Sequence, residues 1–243
     1  MRFPSVRLGF AAVLAVACSS AVKQQSASNV WLVPEEQFFA KVDTIGIGPV
    51  WVPDSLENPA PVRALFDSLI SEQLRLAGYT LVRIPNMREI TDSENREHGQ
   101  FNPATGEPDE VAARTAAEHA LGRLAGQYPQ VDAFLMPDLV VVGARVEGKD
   151  AYWDGTSQNI ANLSDWLVMR DFSGTLPAFS VCVRFLDPAG SLMYHNDGGV
   201  QVASTPRKVV ERSKLFVDAE RNLNAVRFAL KAVLKRPERA PVT

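Results

Sequence analysis

The sequence predicts an α/β fold, bordering on α+β, built as one domain on a mixed sheet, and three observations carry that prediction. A strand–helix–strand opening runs from Thr44 to Ile84. The segment Val131–Val146 (VDAFLMPDLVVVGARV) is apolar enough to be a central strand. After it come short β-favouring runs broken by turn residues, with no helical period until Asp218. The resulting order is β-α-β-α-α-β-β-β-β-α, with a parallel part first and an antiparallel meander later.

Each element has a local reason. Thr44–Val52 (TIGIGPVWV) reads as a strand, with Ile45, Ile47 and Val50 as its apolar cover. Its Gly46-Ile47-Gly48 is no phosphate loop, because Pro49 and a further β-favouring run follow where a helix should open. Asn58 and Pro59 suit a helix start, and Val62, Leu65, Phe66, Leu69, Ile70 and Leu76 form one stripe that Gly78 ends. Thr80–Ile84 is a short strand stopped by Pro85. A polar helix is expected over 86–100, then a loop over Phe101–Pro108, and a second helix from its cap Asp109 to Ala125. Glu147–Asp150 reads as a hairpin turn into Ala151–Trp153. Leu176–Leu186 and Ser191–Ser204 are strands joined at Asp187–Gly190, although Asn196–Gly199 itself has turn composition. Asp218 opens a terminal helix through Leu223, Val226, Leu230 and Val233.

Composition excludes several classes. The 243 residues are 46% hydrophobic and 22% charged with two Cys, which suits a globular chain and neither a disordered one nor a disulfide scaffold. No apolar run reaches the roughly 20 residues that cross a bilayer. Charge is uneven: residues 18–206 carry 13 Lys and Arg against 24 Asp and Glu, whereas residues 207–239 carry 10 against 4. The basic segment reads as a solvated helix face offsetting an acidic body, and nucleic acid is not an expected partner.

The N-terminus reads as an address. Arg2 and Arg7 flank a basic start, Leu8–Ala17 is uncharged and apolar, and Ala15-Val16-Ala17 precedes Cys18. Small residues before a Cys resemble the lipobox of bacterial lipoproteins, although Ala15 stands where that family most often has Leu. The resemblance implies that Cys18 takes a diacylglyceryl group and becomes the mature N-terminus. Ser19 in place of Asp then implies sorting to the outer membrane. The same letters also fit an ordinary secretory cleavage site, which would leave the protein soluble in the periplasm, and a chance apolar N-terminus is the third reading. Residues 1–17 are therefore expected to be a signal peptide, residues 18–30 an anchor and a Ser/Gln/Ala tether reaching on the order of 20 Å, and residues 31–243 a single domain.

No catalytic motif stands out, and no cofactor is implied. His98, His119 and His195 fall in three elements without ligand spacing, so neither a metal site nor a Cys/His pair is expected. Asn102, Thr105, Glu107 and Asp109 offer oxygens but lack an EF-hand pattern, and turn plus helix cap accounts for them. Cys182 reads as a half-buried strand thiol. Asp138 follows Pro137 inside an apolar strand; it is either a perturbed functional carboxylate or, beside a bulge or strand edge, a group reaching solvent or a backbone donor. Tyr152, Trp153, Asp154 and Gly155 open a segment of aromatic and hydrogen-bonding residues, extended by Trp166. It suits a contact surface or pocket mouth, against a core Trp followed by a tight turn. The candidate binding residues are thus Tyr152, Trp153, Asp154, Gly155 and Asp138, with Cys18 for lipidation.

Taken in order, Thr44–Val52, Asn58–Gly78, Thr80–Ile84, Val131–Val142 and Tyr152–Gln158 resemble uncharacterised Gram-negative lipoproteins. More remotely they are similar to small α/β domains of envelope lipoproteins that activate peptidoglycan synthases or build secretion channels. The resemblance implies a non-catalytic, lipid-anchored accessory of an envelope complex, with a protein partner. A periplasmic small-ligand or glycan binder is the alternative, and an enzyme with a dispersed site the third. Oligomeric state is not legible.

Overall fold

A long strand does most of the organising. The computed structural model describes residues 30–53, 56, 58–99, 107, 109–160, 173–205 and 209–237. Their elements are α1 (Glu35–Lys41), β1 (Thr44–Ile47), α2 (Pro59–Leu76), β2 (Thr80–Arg83), α3 (Met87–His98), α4 (Glu110–Gln127), β3 (Ala133–Glu147), β4 (Asp150–Trp153), β5 (Thr156–Asn159), β6 (Ser173–Leu186), β7 (Leu192–Val202) and α5 (Ala219–Ala229), with single 3-10 turns at Arg212–Lys214 and Val233–Lys235. The strands form one seven-stranded mixed sheet, as the α/β reading expects.

β3 uses one edge twice. Its first residues pair in parallel with β1, itself parallel to β2, and its last residues pair antiparallel with β4, which turns into β5. Along the other edge β3 pairs antiparallel with β6 from Phe134 to Glu147, and β6 pairs with β7. The register runs without a shift through Pro137, so the expected bulge is absent from this ladder. The missing N–H lies on the β1 edge instead, where the Pro137 carbonyl accepts from Trp51 N at 2.9 Å and Trp51 forms an isolated bridge to Asp138. β1 proper ends at Ile47, shorter than its apolar run suggested.

Alternation along the strands sorts the core. One face gathers Ile45, Ile47, Leu135, Val181 and Phe185 under α2 (Phe66, Ile70, Leu74) and α5 (Ala225, Val226, Ala229). Phe38 and Phe39 of α1 join it, with Trp31 set edge-on against Phe39 and Tyr194. On the opposite face Phe134 and Leu186 meet Met87 and Ile90 of α3 and Leu121 and Leu124 of α4. Farther along that face Ala144, Val146, Ala151, Trp153, Leu176 and Val202 form a separate small core.

Local caps mostly follow the sequence. Asp109 accepts from Val111 N and Ala112 N, and Asp218 accepts from Arg221 N. Gly78 has φ +83° just past α2. Asn58 departs from expectation: it is left-handed at φ 69° and makes no side-chain cap. Asn196–Gly199 also departs, because the turn-like residues lie inside β7. The reason is packing: a Cβ at Gly198 would sit 2.0 Å from the Ala225 carbonyl oxygen of α5. Among the described α-helices and strands, two escaped the sequence reading altogether, α1 and the polar β5.

Candidate functional site: a groove between a hairpin turn and a helix start

The β4–β5 turn reaches across to the edge of β7 away from β6. Asp154 and Gly155 form it with φ of 35° and 73°. The Asp154 carbonyl accepts from Gly199 N at 2.9 Å, and its carboxylate accepts from Ser180 Oγ at 2.5 Å. Trp153 Nε1 donates to the Phe179 carbonyl at 3.2 Å. Farther on, Gln158 Oε1 accepts from Val202 N at 3.0 Å and from Arg221 Nη1 at 3.2 Å, so the hairpin is tied to both β7 and α5.

Between that turn and the first turns of α5 lies an open groove of about 460 Å³. Asp154, Gly155, Thr156 and Ser157 line one wall; Asp218, Glu220, Arg221 and Asn224 line the other, with Phe228 between. Gly155 allows the close approach, since a Cβ there would collide with the Phe228 ring at 2.0 Å. The groove offers carboxylates, hydroxyls, an amide and a guanidinium from two elements around one aromatic ring. Among the described residues no thiol or imidazole lines it. Such a surface can hold a polar ligand or chain segment by hydrogen bonds.

The sequence-derived candidates therefore separate. Asp154 and Gly155 line the groove. Trp153 does not, because its ring is 7% exposed and belongs to the small core under the hairpin. Tyr152 alternates outward and is exposed. Asp138 lies apart, ion-paired with Arg184 of β6, whose side chain is 6% exposed. Cys18 and Trp166 fall outside the described residues, as do Asn102 and Thr105; Glu107 is exposed and Asp109 caps α4.

A row of polar residues crosses the sheet from Asp138. Asp138, Cys182 and Asp197 stand in one row across β3, β6 and β7. Cys182 Sγ is 3.4 Å from His195 Nε2, which is 3.4 Å from Asp197 Oδ1. Thiol, imidazole and carboxylate are thus brought together where sequence spacing implied no such association. Cys182 is fully buried, and a buried thiol is an inert nucleophile, so the row reads as a packed polar network. A second association is on the helices: Glu94, His98 and His119 converge. Arg123 donates to the Glu94 carboxylate at 2.6 Å, and that bond, aided by charge from Arg123 and the two imidazoles and opposed by burial, holds its pKa below the ordinary carboxylate value. The i, i+4 spacing of Glu94 and His98 was visible in the sequence, but His119 joins them by helix packing and Cys182 meets His195 by strand register.

No family model and no curated protein matches the chain. Among solved structures it is similar to the PelC dodecamer from Paraburkholderia phytofirmans, at 10% identity and a TM-score of 0.37, covering 82% of this chain and 91% of that one. A point variant of the same PelC matches at 9% identity and a TM-score of 0.35, covering 79% and 90%. Likeness this slight decides nothing about the role.

Proposed function

We propose that this chain is a lipid-anchored binding module on the periplasmic face of the outer membrane, a non-catalytic accessory or assembly subunit of an envelope complex. In this reading it holds a polar segment of its protein partner in the groove between the β4–β5 turn and α5. The observation that carries the binding half is the groove itself: an open cleft whose hydrogen-bonding groups come from two elements held together by Gln158 and Arg221. The anchoring half rests on the apolar Leu8–Ala17 run, Cys18 and the Ser/Gln/Ala tether. A small-ligand or glycan reading draws on the same groove, but without Trp153 as a stacking platform, since that ring is packed inside.

A photo-crosslinking side chain placed at Asn224, with a second at exposed Leu76 of α2 as the control, separates these readings in envelope membranes. The account expects a discrete protein adduct from position 224 that Arg221→Glu abolishes, and none from position 76. Adducts that are equal at both positions, or absent from both, would sink the partner reading. Cys18→Ser tests the anchor: the variant should leave the detergent phase, and one that partitions like the parent refutes lipidation.

A further inference from the structure

We infer that Glu94, His98 and His119 form a site for a divalent transition metal, zinc foremost, that clamps the end of α3 to the middle of α4. Glu94 and His98 are four apart on α3 and so share one face, as two helical ligands must. His119 comes from α4. His98 Nε2 and His119 Nδ1 lie 3.0 Å apart, and Glu94 Oε2 is 3.6 Å from the first and 3.7 Å from the second. A triangle with those sides has a point about 2.0 Å from all three corners, the bond length zinc takes to imidazole nitrogen and carboxylate oxygen.

Hydrogen bonding alone accounts for less of this arrangement. One imidazole can donate to the other, but both then stand beyond hydrogen-bond reach of Oε2. The rings meet at 82°, and the nearest nitrogen of each lies within 3.7 Å of the carboxylate. Glu94 itself is 4% exposed and is oriented by Arg123 on its other oxygen, the outer partner that a ligating carboxylate ordinarily has. The guanidinium of Arg123 is half exposed, so solvent screens its charge from the site. Two imidazoles and one carboxylate select a borderline metal such as zinc over calcium or magnesium, which prefer all-oxygen shells. The side chain of His119 is 56% exposed, which leaves a fourth position for water.

The metal would link two antiparallel helices across the connection at 99–109, a clamp in addition to their apolar contact. The test uses the full-length mature chain without a polyhistidine tag, stripped by a chelator and titrated with zinc against a chromophoric competitor. One zinc per chain is expected. His98→Ala and His119→Ala should each weaken it by more than about tenfold, since loss of even an outer-shell partner costs that much. Cys182→Ser should leave it unchanged. Cobalt in place of zinc should give the visible bands of a four-coordinate site, and these should vanish in the conservative His119→Gln variant, whose fold is checked by circular dichroism. Absence of zinc binding, binding that survives loss of both histidines, or binding lost only in Cys182→Ser would each overturn the assignment.

Discussion

The two ends of β3 are built on different rules. At its start, Ala133, Phe134 and Leu135 are all fully buried, because helices cover both faces of the sheet there. Toward its end, burial alternates: Ala144 and Val146 are buried while Val141, Gly143, Arg145 and Glu147 are exposed. Among the described residues the cover at that end lies on one face and comes from the β4–β5 hairpin. The first end is a scaffold with no freedom to vary, and the second is a half-covered sheet whose hairpin turn is free to shape a groove. Asp138, Cys182 and Asp197 mark the row where one rule gives way to the other.

That contrast should appear most strongly in stability. Phe66→Ala, under the helix-covered end, should cost about 3–5 kcal/mol in urea unfolding. Val141→Ala, 49% exposed, should stay within about 0.5 kcal/mol. Equal effects would erase the distinction between the ends. At the junction row, Asp138→Ala removes the carboxylate ion-paired with buried Arg184 and should cost about 3 kcal/mol, most of it restored by the added change Arg184→Met. A double variant no better than the single would mean that the pair is not the cause.

Smaller effects sharpen the groove side. Asp218→Ala removes the α5 cap and should cost about 1 kcal/mol, while also loosening the groove wall to which Arg221 belongs. The least effect at neutral pH is that of Tyr194. Burial, with the nearby Asp197 charge, pushes its phenol above the ordinary value of 10.0, against bonds to backbone and Asn196. A raised pKa means that this stabilisation is complete below pH 10 and is lost as pH climbs beyond it. Urea midpoints measured from pH 8 to 11 should fall more steeply at the alkaline end in the parent than in Tyr194→Phe. Parallel curves would show that Tyr194 is not responsible.

How much was legible follows the same physics. Periodicity exposed α2, the continuous apolar start of β3 and the capped helices at Asp109 and Asp218, because burial writes itself into local pattern. It missed α1, whose seven residues are too few to show a period and whose two adjacent phenylalanines anchor it through tertiary contact. It missed β5, because Thr156–Asn159 carries no apolar alternation and is held by pairing with β4. At the site, turn composition pointed to Asp154 and Gly155, while the size of Trp153 suggested a contact surface for a ring that is packed inside. The histidine groups were illegible for another reason. His98 and His119 meet because α3 packs on α4, and Cys182 meets His195 because of strand register.

The central claim, a binding module held at a membrane by its N-terminus, is tested most directly by the mass of the mature N-terminal peptide isolated from envelope membranes. The account predicts a chain that begins at Cys18 and carries the mass of diacylglycerol and further acyl groups on that residue. A chain beginning at an unmodified Cys18, or one still bearing residues 1–17, would contradict it.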